Sequence, residues 1–541
     1  MYNFDSLALK FFTEENAGYL SGASVQKIQQ PSRKELIFSL RNSLPKNSQD
    51  SKTGGGENRK LYINIDPKYP HLCFIASSKD GGEAAVEGYS KRGIKIPQHP
   101  PMFCMQLRKY LDGARIQEVR HVEYERILEL YFNHVDEIGQ VVSLCLAIEL
   151  MGKHSNVILY NSRSKVILGS MHNISPEKSS VREVYGGIGY IYPPEQYKTD
   201  ILKTSYGAFS EALKSREDTI KAINGHYYYL SIPLIEKSVV NCADSAETFT
   251  ALQKLVSGED KSSMYSILGG GDSINSALCS YFEDIMFKDL FDKKSKALKK
   301  VIQKELKRLE GVVKSKQSDG KMKQYKQKGD LILQYIYKIN PRDEYLEVEG
   351  LKIELDNTKT PSENAQRYFT LYQKAKNAQN VHSEMLEAAL ESQKYYEGLL
   401  FDAENSKTLE ELDQITLGEE NEKTQKETLQ IEKINEGDWE IYIGKNNKQN
   451  DYLISKIARG EDFWFHAKDF PSSHVILKTK TPQKEPPDKL LLMASKIVKE
   501  NSPLKNTAKA SIIYTKRKYL KKPPGAKLGY VTYREEKEIV V

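Results

Sequence analysis

The middle of the chain, residues 282–429, constrains everything around it. It is rich in charge and carries apolar residues at helical spacing. Leu298, Ile302, Leu306, Leu309 and Val313 recur every three or four positions, which sets them on one stripe of a helix whose other faces are lysine and glutamate. Met385, Ala389, Tyr396 and Leu400 repeat the pattern after Pro361. The spacing predicts two amphipathic helices joined by a compact excursion over 337–360, an antiparallel hairpin in which each stripe buries the other. At about 1.5 Å per residue, roughly fifty residues over 288–337 reach about 75 Å, with Gly311 and Ser318-Asp319-Gly320 expected to interrupt the run. Such an arm suits a chain that holds two heads apart on a very large partner. An ordinary helical domain folded back on a globular core is the alternative.

With 541 residues there is room for three or four domains and more than one core. No apolar run approaches the ~20 residues that span a bilayer, and the opening Met1-Tyr2-Asn3-Phe4-Asp5 lacks the basic and apolar regions of a signal peptide. A cytoplasmic protein without a membrane partner is expected. Cys73, Cys104, Cys145, Cys242 and Cys279 lie far apart in mostly apolar context, as reduced core thiols would. There is no CxxC or His/Cys cluster for zinc, and Gly269-Gly270-Gly271 is followed by Asp272-Ser273 rather than by the lysine of a phosphate-binding loop. No metal, no cofactor and no self-contained catalytic centre is expected. The net charge of +7 is modest, so its distribution carries more information.

Residues 1–200 are expected to form one α/β head. Ser6 to Leu20 forms a short amphipathic helix capped at Asp5, residues 35–40 and 61–65 alternate like strands, and residues 46–60 and 77–100 are loops. A helix over 102–111 precedes strands over 117–122, 124–132 and 141–151. The last of these runs into Met151-Gly152-Lys153-His154-Ser155-Asn156. Lys153, His154, Ser155 and Asn156 at a strand junction are groups that contact phosphate oxygens or splayed bases; a tight turn bonded to its own backbone is the other reading. Residues 203–256 follow as short helices with a polar turn at Asn224-Gly225-His226.

After a solvated acidic connector over 417–436, a second compact head has expected strands at 439–444, 464–469, 511–515 and 529–533 and a helix at 489–499. Lys505, Lys509, Lys516, Arg517, Lys518, Lys521, Lys522 and Lys527 fall in one stretch without an acid, with Tyr514 and Tyr519 among them. Cations interleaved with aromatics suit a phosphate backbone and exposed bases. A solvated basic edge strand competes with that reading. His466, Asp469 and His474 match no metal-ligand spacing and read as a loop that positions Lys468 and Lys478.

Five stretches together resemble the NFACT family: residues 100–111 (PPMFCMQLRKYL), 151–156 (MGKHSN), 360–369 (TPSENAQRYF), 464–474 (WFHAKDFPSSH) and 521–527 (KKPPGAK). The resemblance spans the chain and implies a multidomain α+β protein. Its parts would be a mixed α/β N-terminal head over 1–195, a small helix-hairpin-helix-like helical domain over 196–280, a long antiparallel coiled-coil arm over 281–430 and a small α/β RNA-binding head over 431–541. It implies a ribosome quality control factor, not an enzyme. Such a factor binds large ribosomal subunits carrying peptidyl-tRNA, through rRNA and stalk-base proteins, and recruits tRNA, tRNA-Ala in bacteria. The ribosome itself then tails the nascent chain without messenger RNA, and a small RNA-binding partner protein is a further implied contact. The family's early aspartate matches Asp5, and its Asp-Arg pair matches Glu125-Arg126, the acid one methylene longer here; a cross-strand salt pair is the alternative reading of those two. In the C-terminal head Trp464, His466, Lys468, Asp469 and His474 lie in the matching run, and Lys516, Arg517 and Lys518 in the basic stretch. The family's older name adds a fibronectin-binding surface adhesin as an alternative. A DNA-repair glycosylase is disfavoured because the start Met1-Tyr2-Asn3 lacks the proline nucleophile.

Overall fold

The structure is a computed structural model that describes residues 2–42, 56–75, 94, 96–135, 139–177, 179, 181–214, 218–314, 319–340, 342–415, 429, 431–479, 485–524 and 526–541. The chain divides into two compact units, Met1–Leu290 and Phe291–Val541.

In the first unit, helix α1 (Ser6–Leu20) begins at Asp5, whose carboxylate accepts a hydrogen bond from Ala8 N at 2.9 Å. Two antiparallel sheets follow. One has the order β1 (Ser24–Ser32), β2 (Glu35–Asn42), β3 (Glu57–Asn64), β4 (His71–Ile75), and the other β5 (Ile116–His121), β6 (Ile127–Val135), β7 (Val141–Glu149), β8 (Asn156–Asn161), β9 (Ile167–Ser170). Between them in sequence lies α2 (Met102–Leu111). Its Arg108 guanidinium donates twice to the Ile28 carbonyl, at 2.9 and 2.8 Å, and ties the helix to β1.

The period-two alternation of strands explains the layering of the second sheet. Leu128, Leu130 and Phe132 of β6 face the main core, while Ile127 faces the opposite side with Cys145, Ala147, Ile158 and Tyr160. That opposite side also buries two carboxylates. Glu129 accepts from the hydroxyls of Tyr131, Tyr160 and Tyr192, and Glu149 takes a two-pronged contact from Arg182 and the hydroxyl of Tyr190. Each buried oxygen is thereby satisfied, as the interior demands.

Helices α3 (Tyr206–Leu213), α4 (Thr219–His226), α5 (Ile232–Val239), α6 (Ser245–Ser257) and α7 (Ser262–Leu268) complete this unit. Phe209, Tyr227, Leu234, Leu252 and Met264 share one continuous core with Tyr2, Phe4, Phe11 and Phe12. Two expectations change here. The expected strand over 124–132 begins only at Ile127, because Tyr124 takes φ 65° and closes a β5–β6 turn. Gly225 lies inside α4 and does not form a polar turn. The expected loops at 46–60 and 77–100 fall largely outside the described residues; where described, Glu57 to Lys60 belong to β3.

The boundary between the units falls within α8 (Ile274–Lys314), which runs unbroken through Gly311. Beyond residues 315–318, which lie outside the described set, come α9 (Asp319–Gln334), a hairpin of β10 (Tyr345–Val348) and β11 (Leu351–Glu354), and α10 (Pro361–Asn405). Thr360 caps α10 through a reciprocal box with Glu363, and Pro361 opens it where a missing N–H is harmless. Leu331, Ile332, Ala365 and Tyr368 pack under the hairpin at one end of α10. Ile302 packs with Leu399, Ala403 and, from α11 (Leu409–Gln414), Leu412 toward the other. The antiparallel helical pair is therefore real. Met385, expected in its buried stripe, is 58% exposed, whereas Ala389 is buried.

The C-terminal head is a six-stranded antiparallel sheet in the order β12 (Glu432–Glu436), β13 (Trp439–Ile443), β15 (Val475–Thr479), β14 (Phe463–Ala467), β16 (Ser511–Lys516), β17 (Lys537–Val540). Helix α13 (Asp488–Glu500) covers one face through Leu490, Ala494 and Val498. Leu453, Ile454 and Leu520 cover the other, over Trp464, Ile476 and Ile513. Residues 432–436, expected in the connector, form an edge strand. Residues 529–533, expected as a strand, contribute a single bridge between Lys521 and Thr532.

This head is docked on the arm. Asn447 of α12 (Asn447–Tyr452) donates to the Tyr395 hydroxyl at 3.1 Å, and Asn446 and Gln449 both donate to Gln414 Oε1. Lys527 lies 4.5 and 4.8 Å from the ring centres of Tyr395 and Tyr396. An arm standing clear of the C-terminal head is thus not what forms.

Gly444 sits where this docking starts. A Cβ there meets Asn450 Oδ1 head on and lies 3.1 Å from Asn450 N, and Asn450 Oδ1 accepts from His474 N at 3.0 Å. Gly444→Ala is expected to destabilise the second unit by about 1–3 kcal/mol, read as a lower urea midpoint for its transition.

Candidate nucleic-acid interface

The β5–β6 turn brings Glu125 and Arg126 to the start of α1. Tyr124 stacks on Tyr228, with ring centres 4.2 Å apart, and its N–H donates to the Tyr229 hydroxyl at 3.1 Å, which pins the turn to the helical part of the unit. Asp5 uses its second oxygen to accept from the Ser231 hydroxyl at 2.7 Å, at the N-terminus of α5. One carboxylate therefore serves two helices.

Burial raises the Asp5 pKa, opposed by the bonds from Ala8 and Ser231, by the nearby Tyr2 hydroxyl and by the charge of Arg126. The Tyr2 hydroxyl lies near that carboxylate without closing a hydrogen bond of full geometry, and burial pushes its own pKa well up. Burial likewise raises Glu125, against the pull of Arg126, and lowers both Arg126 and Lys198. Among the described residues no side-chain hydrogen bond reaches the Arg126 guanidinium. A half-buried cation whose guanidinium takes no side-chain hydrogen bond is suited to an oxyanion ligand.

The sheet extends this cluster. The Arg126 carbonyl accepts from Leu150 N at 2.9 Å, which sets the turn at 151–156 alongside it. Within that turn the four expected residues divide. Lys153 and His154 are exposed, whereas Ser155 and Asn156 are buried. Asn156 donates to the His172 carbonyl and accepts from the N–H groups of Val157 and His172, so it builds the turn. Lys153 and His154 remain open to a ligand.

In the C-terminal head the expected residues also separate. Trp464 is 1% exposed and stacks on His466, with His474 edge-on to both. Burial lowers the pKa of His466 to about 4 and holds that of His474 well below its ordinary value, so both imidazoles are neutral at pH 7. Lys468 and Asp469 are exposed, on a turn where Asp469 takes φ 62°.

Half of the eight cations of the basic stretch, and Lys468 outside it, have partners within the head. Lys516 and Lys518 share Glu461, Lys522 pairs with Asp451 and Lys468 with Glu538, while Arg517 donates to the Ile454 and Leu520 carbonyls. Exposed pairs of this kind are worth about 0–1 kcal/mol, so phosphate can displace the carboxylates. Arg517, by contrast, is part of the fold.

Missed in the sequence are Lys198, Ser231 and Asp402. Asp402 is on α10, and burial raises its pKa to about 8, opposed by the Asn447 N–H. Only the long-range docking of the arm on the head creates its environment, so no local signal could have marked it.

These features define a class: a multidomain α+β chain with a polar, desolvated cluster in its N-terminal unit and a small sheet domain docked on a helical arm. Comparison makes it particular. The description "NFACT N-terminal and middle domains" matches residues 5–256 and 243–433, and "NFACT protein RNA binding domain" matches residues 431–534. The chain belongs to the NFACT family. It is 28% identical to the Rqc2 homolog RqcH of Bacillus subtilis (strain 168) and 29% identical to that of Streptococcus suis (strain 05ZYH33), in each case over 100% of this chain and 98% of the relative. The solved N-terminal structure of the fibronectin/fibrinogen-binding protein from Streptococcus suis covers 47% of this chain and 85% of its own, at 27% identity and a TM-score of 0.37.

Two outcomes test these environments. Asp5→Ala removes a cap and the Ser231 acceptor, and is expected to lower stability by about 1–2 kcal/mol in urea unfolding; Arg126→Ala, which deletes a cation without a hydrogen bond, should cost less. Asp402 binds its proton in the fold up to about pH 8 but in the unfolded chain only to about pH 4. The folded state therefore holds an extra proton between those values, and stability falls as pH rises through the window. Asp402→Asn should raise the thermal midpoint above about pH 8 and leave it nearly unchanged near pH 4.

Proposed function

We propose that this chain is a ribosome quality control factor. It binds large ribosomal subunits that carry peptidyl-tRNA and recruits tRNA, tRNA-Ala by family resemblance, for tailing of the nascent chain without messenger RNA. The observation that carries the reading is the half-buried Arg126 guanidinium, which feels the charge of Asp5 and takes no side-chain hydrogen bond among the described residues. It stands on a strand start bonded to the segment that leads into exposed Lys153 and His154. The full-length likeness to RqcH proteins and the RNA-binding domain match support it.

In this reading the chain works as four parts, 1–195, 196–280, 281–430 and 431–541. The first two hold tRNA through Asp5, Glu125, Arg126 and the turn at Lys153 to Asn156, the arm reaches rRNA and the stalk-base proteins, and the last adds RNA contacts through Lys468, Asp469, Lys516 and Lys518. A small RNA-binding protein is a further partner. Peptide-bond formation stays with the ribosome, no cofactor is required, and the protein works in the cytoplasm. Among the described residues no helix is long and apolar enough to cross a membrane. Glu125 keeps the charge of the family aspartate on a longer stem and modulates tailing, while subunit binding is independent of it.

Purified protein is expected to co-sediment with large subunits bearing peptidyl-tRNA and to lose them as salt rises, with log K falling by about 0.7–0.9 per neutralised phosphate for each unit of log salt. Arg126→Ala should abolish tRNA retention yet leave subunit binding. Indifference to such subunits at low salt overturns the proposal, and binding to fibronectin in the same experiment would point to the adhesin instead.

A further inference from the structure

A cavity of about 600 Å³ opens in the second unit, between α10 and the C-terminal head. That volume falls in the usual range of small-ligand sites, about 300–1,000 Å³. Its inner wall is formed by Trp464, His466 and His474, and its outer wall by Tyr395 and Asp402. Phe470, Tyr530 and Tyr533 also line it, at 45%, 39% and 38% exposure. Half-open aromatic rings around a polar interior offer flat faces to a planar guest.

Two polar atoms of the inner wall have no hydrogen-bond partner. They are the indole Nε1 of Trp464 and Nδ1 of His474, in side chains 1% and 4% exposed. Buried polar groups are seldom left unmet, because leaving them so costs stability. The indole can only donate, and the neutral imidazole can donate or accept. Their complement is one molecule with an acceptor beside a second polar edge group.

Charge then narrows the choice. Glu387, Glu391, Glu397 and Asp469 also line the cavity, against Lys394 alone among its cations. A phosphate is repelled there. An uncharged heteroaromatic ring is not, and its amino or imino hydrogens find carboxylate acceptors.

We propose that this cavity takes one unpaired nucleobase of an RNA strand. Trp464 Nε1 donates to a ring nitrogen or carbonyl oxygen of the base, His474 Nδ1 meets the adjoining edge, and the ribose-phosphate stays outside the acidic lining. The proposal deepens the RNA-binding reading of the C-terminal head and rests on it. Because α10 forms the outer wall, an inserted base also bridges arm and head.

The chain has two tryptophans, so Trp439→Phe leaves Trp464 as the sole indole reporter. The full-length variant is titrated with adenosine, guanosine, cytidine and uridine, with inorganic phosphate and ribose 5-phosphate, and with a short single-stranded oligoribonucleotide. Calorimetry on the unsubstituted protein guards against a perturbed core. At least one nucleoside and the oligonucleotide are expected to change the Trp464 emission, and the two phosphates are not. Trp464→Phe, which keeps the ring but loses the N–H, should weaken binding of that nucleoside in calorimetry by about tenfold, the usual scale for one buried hydrogen bond. Oligonucleotide binding that leaves Trp464 emission unchanged and survives Trp464→Phe overturns the pocket and leaves the RNA-binding reading standing. Nucleoside binding without oligonucleotide binding overturns the proposal and the RNA-binding reading together, leaving a site for free nucleosides. Silence in every titration overturns both, with water alone then serving the two unmet atoms, and a response to phosphate alone overturns the pocket.

Discussion

A helix of 45 residues cannot hold its apolar stripe in water, and the whole second unit follows from how α10 resolves that constraint. It finds three partners in succession. The α9 segment and the β10–β11 hairpin cover its first turns, α8 and α11 cover Leu399 and Ala403, and the C-terminal head takes Tyr395 through Asn447. Each partner alone is too small to bury much. Strung along one rod, they become a single unit in which head and arm share surfaces and a cavity.

The first unit answers a different problem, that of joining two sheets to a set of short helices. Its apolar core does most of this, since Phe4 and Phe11 pack in the same cluster as Phe209 and Leu234. Asp5 adds direction to that core by capping α1 and accepting from Ser231 at the head of α5. The cost is a carboxylate, a guanidinium and an ammonium taken partly out of water together. The ion pair of Glu149 with Arg182 elsewhere in the unit is closed by two hydrogen bonds, so both carboxylate oxygens are met. In the Asp5–Arg126 cluster, by contrast, the carboxylate is met by Ala8 and Ser231 while the guanidinium has no side-chain hydrogen bond among the described residues.

Electrostatics in the C-terminal head reverses the impression left by composition. Eight cations in a row without an acid read as a bare basic surface, yet Glu461 and Asp451 come from other segments to meet three of them, Lys516, Lys518 and Lys522, and Glu538 meets Lys468 outside the row. Counting along the chain cannot find partners that arrive through the fold. The aromatic half of the same expectation shifts too. Trp464 lies beneath Leu453 and Leu520, where its ring faces are covered and only its polar edge is unmet.

Local rules made much of the fold legible. The N-cap at Asp5, the box at Thr360 and Glu363, the α2 segment, the apolar runs of β2 and β3 and the alternation of β13 are decided by neighbours within a few residues, which is the range over which caps and periodicity act. The long helices were legible for the same reason. What failed were features set by distant partners: Tyr124 is drawn into a turn by Tyr228 and Tyr229, Gly225 is carried inside a helix, and residues 432–436 become a strand because β13 offers an edge. The sequence by itself determined most of the elements, the family and the order of the charged residues along the chain. Only the tertiary structure decided which charges are neutralised, which polar atoms are left wanting and where the cavity opens, because desolvation and pairing depend on groups from tens to more than two hundred residues apart that meet only in the folded chain.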